Sequence, residues 1–185
     1  MHALKSIFVK KSKKAHQRGT AAIEFAMIAT PFLMLLFGLF EIMMIFFVQT
    51  TLESAISEEA RKIKTGQANA GAGMTAATFK AGICTRMVGL VDCTNRLFVM
   101  VENQPATGSL PSPMTTPSIL GNPPYQQNTA AGSIVVVRGF YVWPLMTPGI
   151  STALKNTTTS GPNSNLGSTN RMLVATSAFR NEPFQ

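Results

Sequence analysis

Acidic residues are scarce in this chain: eight Asp and Glu stand against sixteen Lys and Arg, with two His, two Cys and one Trp among 185 residues. Both histidines, His2 and His16, precede the first acid, Glu24. The remainder therefore offers no imidazole as a general base or metal ligand. It also lacks a glycine-rich phosphate loop and any pair of acids at a spacing that suggests acid–base work. Asp92 and Glu102 flank a predicted strand and read as solvated charges, while Thr176 and Ser177 have no base nearby in sequence. With no catalytic residue to nominate, no enzyme activity, cofactor, metal or small-molecule substrate is expected.

The positive charge is confined. Lys5, Lys10, Lys11, Lys13, Lys14 and Arg18 all lie before Glu24, and the ten remaining Lys and Arg nearly balance the eight acids. A protein that binds nucleic acid spreads its charge over a folded face, so no nucleic-acid partner is expected. A short terminal basic run is instead a topology signal that keeps the N-terminus in the cytoplasm.

Phe25 to Val48 follows as a nearly continuous apolar block, interrupted by Thr30, Pro31, Gly38 and Glu41. Twenty-four residues at 1.5 Å each make about 36 Å, enough to span a hydrocarbon core of about 30 Å with tilt. A cleaved secretory signal has a shorter apolar region and a small-residue cleavage site, which Phe46-Phe47-Val48-Gln49 does not supply. The block is expected to remain as a spanning helix, either kinked at Pro31 or tolerating it. Glu24, at the mouth of the segment, is a costly place for a charge and so a functional candidate. Glu41 falls near the outer interface, about 20 residues on from Ala21, where solvation is cheap. Beyond it, Ile42 to Val48 would pack on the domain or on neighbouring subunits.

The helix is expected to continue through Gln49–Gly66, where Leu52, Ala55, Ile56, Ala60 and Ile63 recur at helical spacing and Glu58 and Lys62 form an i,i+4 pair. Arg61, Lys62 and Lys64 precede Gly66, a helix stop. The result is a stalk of about 45 residues, half in lipid and half in water. Residues 67–74 read as a small-residue hinge. Phe79, Ile83, Met87 and Leu90 then place one apolar face on a helix over 75–90.

Strands are predicted at Arg96–Val101, Ser133–Trp143 and Arg171–Phe179, which are β-branched and aromatic. They are separated by Pro-, Gly-, Ser- and Thr-rich connections at 104–132 and 144–170, the first read as a long exposed loop. Tyr141 and Trp143 read as core-edge aromatics rather than a binding platform. The expected fold class is α+β: a long N-terminal transmembrane and stalk helix, a short helix and a three-stranded antiparallel sheet. The parts are a basic leader at 1–19, the helix at 20–66 and an extracytoplasmic domain at 67–185. Cys84 and Cys93 fall outside the cytoplasm on this topology, where disulfides persist. A bridge between them would staple the short helix to the first strand.

The N-terminal residues carry a resemblance. A basic leader, Gly19, Glu24 five positions on and aromatic Phe25 are similar to the class III signal of type IV pilins. The run GTAAIEFA from Gly19, Ala29-Thr30-Pro31, Leu39-Phe40-Glu41 and Ala60-Arg61 with Gly66 resemble the TadE-like family. These are pseudopilins of the tight-adherence (Flp) pilus machinery. The tail from Ser177 to Phe184 also resembles that family's ending.

The resemblance implies a pilin-like fold and cleavage by a membrane prepilin peptidase between Gly19 and Thr20. It also implies partners among other pilins, pseudopilins and the assembly platform, at the bacterial inner membrane, with the N-terminus cytoplasmic and the domain periplasmic. Major pilins of this type carry Tyr where Phe25 stands. Glu24 would meet the amine freed at Thr20 of a neighbouring subunit; the alternative is that it only marks the membrane interface. The competing reading of the whole chain is an uncleaved, single-pass anchored protein whose outer domain binds a partner or surface.

Overall fold

A computed structural model describes residues 14–69, 73–87, 89, 91–104, 120–121, 123–157 and 166–183, the side chains of 14–18 and 69 excepted. One helix, α1, runs from Lys14 to Lys64 without a break. It passes through Pro31, where the hydroxyl of Thr30 donates to the Ala26 carbonyl at 2.8 Å. It ends where expected: Gly66 takes φ 76°, a left-handed conformation that glycine adopts without a Cβ clash.

The buried positions on α1 are Gly38, Glu41, Ile45, Val48, Leu52, Ala55, Ile56, Glu59, Ala60 and Ile63. Steps of three and four residues keep them on one face. That face lies on the sheet of β1 (Leu97–Gln104), β2 (Ile134–Pro144) and β3 (Asn170–Arg180), an antiparallel meander in the order β1-β2-β3. Register pairs Val99 with Gly139 and Gly139 with Ala175. Odd-numbered residues of all three strands thereby face the helix, because side chains alternate along a strand.

Gly139 sits where α1 crosses closest. A Cβ there would overlap the Ile56 side chain, so glycine admits a helix that any larger residue would displace. Leu52, Ile56, Phe79, Ile83, Val101, Val135, Val137 and Tyr141 form the centre of the core. On the other face, Met100 and Phe140 make a small second cluster, while Leu120 and Leu166 cover Val142.

The predicted short helix is α2, Ala76–Arg86, with Thr75 as N-cap accepting from the Thr78 N–H at 3.2 Å. Leu90 lies outside the described residues. A single turn, α3 (Cys93–Arg96), precedes β1 and was not expected. Its N-cap is Asp92, whose carboxylate accepts from the Asn95 N–H. Those Asn95 hydrogen bonds hold the Asp92 carboxyl below the usual carboxylate range. Cys84 and Cys93 are disulfide-bonded with Cα atoms 5.8 Å apart, joining α2 to the segment that enters β1.

Two expectations need correction, and a third stretch gains an element. In the proposed hinge, Gln67–Asn69 forms a 3₁₀ turn, Ala68 is buried and its carbonyl accepts from the Met74 N–H at 2.7 Å. Ala70, Gly71 and Ala72 lie outside the described residues. In the loop read as exposed, 123–132 does not hang free. Val101 donates to the Pro124 carbonyl and accepts from Gln126, making a parallel bridge at Tyr125 along the free edge of β1. Residues 105–119 and 122 of that loop lie outside the described residues. In the connection after β2, Ser151–Leu154 forms a short helix, α4, and Leu145, Thr147 and Thr157 are buried.

Candidate assembly and membrane-facing site

The lower part of α1 stands clear of the domain. From Gly19 to Phe37 nearly every residue is exposed, including Ile23, Phe25 (74%), Ile28, Phe32 and Leu35. This helix is long and apolar enough to cross a membrane. The four residues singled out at its base fall here: Gly19 and Thr20 lie inside the helix, and Glu24 sits one turn above Thr20 on the same face. Phe25 points from the adjacent position. A Cβ added to Gly19 would meet nothing within 4 Å. Glu24 is exposed, and among the described residues no cation pairs with it and no donor bonds it. The fold brings no residue of the domain to this group.

Glu41 has a role its sequence position did not disclose. It is not a solvated interface charge. It is 8% exposed, and its two carboxylate oxygens accept the backbone N–H groups of Met146 (2.6 Å) and Thr147 (3.1 Å). It thereby fastens the loop after β2 to the helix. A buried carboxylate loses hydration, and two donors aimed at its oxygens replace part of it. The signal was present: counting back from Leu52 by three and four residues reaches Val48, Ile45 and Glu41, so Glu41 lies on the sheet-facing stripe.

The same loop continues down the helix. Ile150 packs so closely over Gly38 that a Cβ at that glycine would overlap it, and Gly149 (φ 83°) lies against Met34. Between loop and helix runs a groove of about 570 Å³ lined by Met34, Phe37, Phe40, Glu41, Met44, Trp143 and Met146. On the opposite flank of α1, Ile42, Phe46 and Gln49 line a second groove, about 420 Å³, against the edge of β3. Gln49 blunts that edge by donating to the Val174 carbonyl at 2.9 Å.

A second buried acid ties α1 to α2. Glu59, 1% exposed, accepts from Lys62 Nζ at 2.9 and 2.7 Å and from Arg86 Nε at 3.0 Å. Gly82 of α2 lies directly on this carboxylate, whose atoms stand 2.6 Å from where a Cβ would be. The expected Glu58–Lys62 pair is therefore replaced by Glu59–Lys62. Glu58 lies 3.9 Å from Arg86 instead. The reason is position: Glu59 shares the buried stripe and can reach α2, whereas Glu58 points outward. Tyr125 donates to the Met74 carbonyl at 3.0 Å, and burial pushes its phenol up to about 12. Tyr141 is buried under α1, and Trp143 packs beside it with ring centroids 6.4 Å apart. Among the described residues no group of three His, Cys, Asp or Glu could hold a metal ion.

Residues 19–61 match the family described as TadE-like protein. The match covers the exposed helix, Glu24, Glu41 and Glu59, and it stops before the sheet. No curated protein and no solved structure matches the chain.

Proposed function

We propose that this chain is a minor pilin-like component of a tight-adherence pilus, anchored by α1 in the bacterial inner membrane with its domain on the periplasmic side. It acts in pilus assembly, initiation or adhesion, alongside other pilins, pseudopilins and the assembly platform. The observation that carries this reading is an exposed apolar helix whose carboxylate Glu24, near its base and inside the TadE-like match, has no partner among the described residues. An unpaired charge at that depth calls for a partner from another chain or from the chain's own processing.

Processing supplies such a partner. Cleavage after Gly19 would create an ammonium at Thr20, and a carboxylate one turn into the new helix also interacts favourably with its N-terminal dipole, by about 0.3–1 kcal/mol. An ammonium on a neighbouring subunit would offset the desolvation of both charges. The uncleaved alternative also has an observation behind it: α1 is helical through Gly19 and Thr20, so cleavage requires that turn to unwind first.

Intact-mass analysis of the protein isolated from peptidase-competent cells separates the two. The proposal expects a chain beginning at Thr20, and a full-length chain from Gly19→Lys. A wild-type chain that keeps residues 1–19 in such cells refutes processing and leaves the anchored binding protein.

A further inference from the structure

We infer that the loop from Trp143 to Ile150 is seated in the outer leaflet of the bilayer that α1 crosses, with lipid acyl chain filling the groove between loop and helix. The inference rests on the membrane-spanning reading of α1 and adds a second point of contact, made by the domain itself.

The first argument is length. From Thr20 to Gly38 the helix rises about 27 Å, and to Glu41 about 31 Å, against a hydrocarbon core of about 30 Å. With Thr20 at the inner edge, Gly38 and Glu41 fall at the outer edge, and any tilt lowers them further. Ile150 touches Gly38 and Gly149 reaches Met34, one turn deeper. With Thr20 at the inner edge, the Gly149–Ile150 end of the loop is thus at the level of the acyl chains and Met146 is at their outer boundary.

The second argument is composition. Met146 is 79% exposed, the most exposed large apolar side chain among the described residues. The groove beside it is walled by Met34, Phe37 and Phe40 of α1 and by Trp143, Met146 and Pro148 of the loop. Its acid, Glu41, already accepts the N–H groups of Met146 and Thr147, so this carboxylate and these two donors are satisfied before lipid arrives. The apolar wall is continuous with the exposed surface of α1 below it, so one lipid-facing surface runs from helix to loop. The chosen occupant is lipid rather than a second copy because this continuity and depth are set within one chain.

Trp143 is the chain's single tryptophan and lines the groove, so it reports directly. The full chain would be reconstituted in phosphatidylcholine vesicles containing lipids brominated either high on the acyl chains or near their ends. Loss of Trp143 emission with the high bromines, greater than with the deep ones and with iodide in the buffer, is the expected result. Met146→Gln, which keeps the backbone donor to Glu41, should weaken that loss. Quenching by iodide with none by either brominated lipid overturns the inference, provided the chain resists alkaline carbonate extraction. Extraction by carbonate would instead show that α1 does not span, overturning the underlying reading as well. If Met146→Cys forms a disulfide between copies while brominated lipids leave Trp143 bright, a second copy fills the groove and the lipid assignment fails.

Discussion

Replacing Glu41 by alanine tests the helix-to-loop fastening quantitatively. Two backbone N–H groups, of Met146 and Thr147, lose a charged acceptor at 2.6 and 3.1 Å. Hydrogen bonds to ionised groups contribute about 1.5–3 kcal/mol each, and part of that is returned because a buried carboxylate no longer has to shed water. The net cost is about 2–3 kcal/mol. For a chain of this size each kcal/mol lowers Tm by about 2–4 °C, so Glu41→Ala should melt about 5–10 °C lower. Glu41→Gln keeps one acceptor oxygen and turns an amide donor toward the second N–H, so it should fall between the two. Thermal unfolding in detergent micelles, followed by Trp143 emission, gives the midpoint. Limited proteolysis within Leu145–Ile150 gives the local effect, since a released loop becomes a substrate. A Glu41→Ala chain that melts like wild type with its loop still resistant would refute the reasoning, because it would mean that the two hydrogen bonds carry no net stability.

Other expectations follow from the same packing. Gly139→Ala should cost about 1–3 kcal/mol by forcing a methyl against Ile56, and in an Ile56→Ala background the same change should cost much less; a double-mutant cycle by urea unfolding reads the difference. Stripping both cations from Glu59, in Lys62→Ala with Arg86→Ala, leaves a buried carboxylate without its partners and should destabilise by about 3–5 kcal/mol, whereas either single change should cost less. Reducing Cys84–Cys93 opens a short loop, and chain entropy alone predicts a loss of about 2–3 kcal/mol in urea titrations with and without reductant. The phenol of Tyr125 is raised to about 12 by burial, and that of Tyr141 is also raised. The folded state therefore holds these protons more tightly than the unfolded chain, whose phenols titrate near 10. The contribution is fully present below about pH 10 and is lost as pH climbs towards 12, so phenolate absorbance should rise together with unfolding rather than before it.

The strands were legible from their β-branched and aromatic content, and α2 from its apolar period. Val99, Met100 and Val101 and Val135 to Val137 form apolar, largely β-branched runs, and Phe79, Ile83 and Met87 recur every four. The single turns α3 and α4 were not, since four residues are too few to show a period. Asp92, read as a solvated charge, is the N-cap of α3. The Pro123-Pro124-Tyr125 run was read as loop because proline breaks ladders. Yet a residue before proline is held extended, and an extended strip beside a free strand edge can pair with it wherever it still carries N–H groups, as Gln126 does with Val101. At the candidate site, Gly19, Thr20, Glu24 and Phe25 stand out by motif, while Glu41 and Glu59 did not. Glu41 was read as a charge near the outer interface and Glu59 was not singled out, because their burial depends on a loop and a helix from elsewhere in the chain.

Glu41 also answers why a carboxylate interrupts an apolar stripe. α1 could slide along the sheet by one turn, about 5.4 Å, and still present hydrophobic residues to it, because Ile45, Val48 and Leu52 repeat at the same spacing. The slide would bring Phe37 or Ile45 opposite the N–H groups of Met146 and Thr147. Neither side chain can accept, and leaving a buried donor unmet costs about 1–3 kcal/mol. The carboxylate would at the same time lose its two donors. One polar residue in an apolar seam is a known way to set register, and here it would fix how far the domain rides up the helix. Gly38 and Gly139 sharpen the same choice sterically, since each admits one isoleucine, Ile150 and Ile56, at a contact no larger residue allows. The height of the domain above the exposed end of α1 thus depends on three side-chain choices rather than on the length of the apolar run.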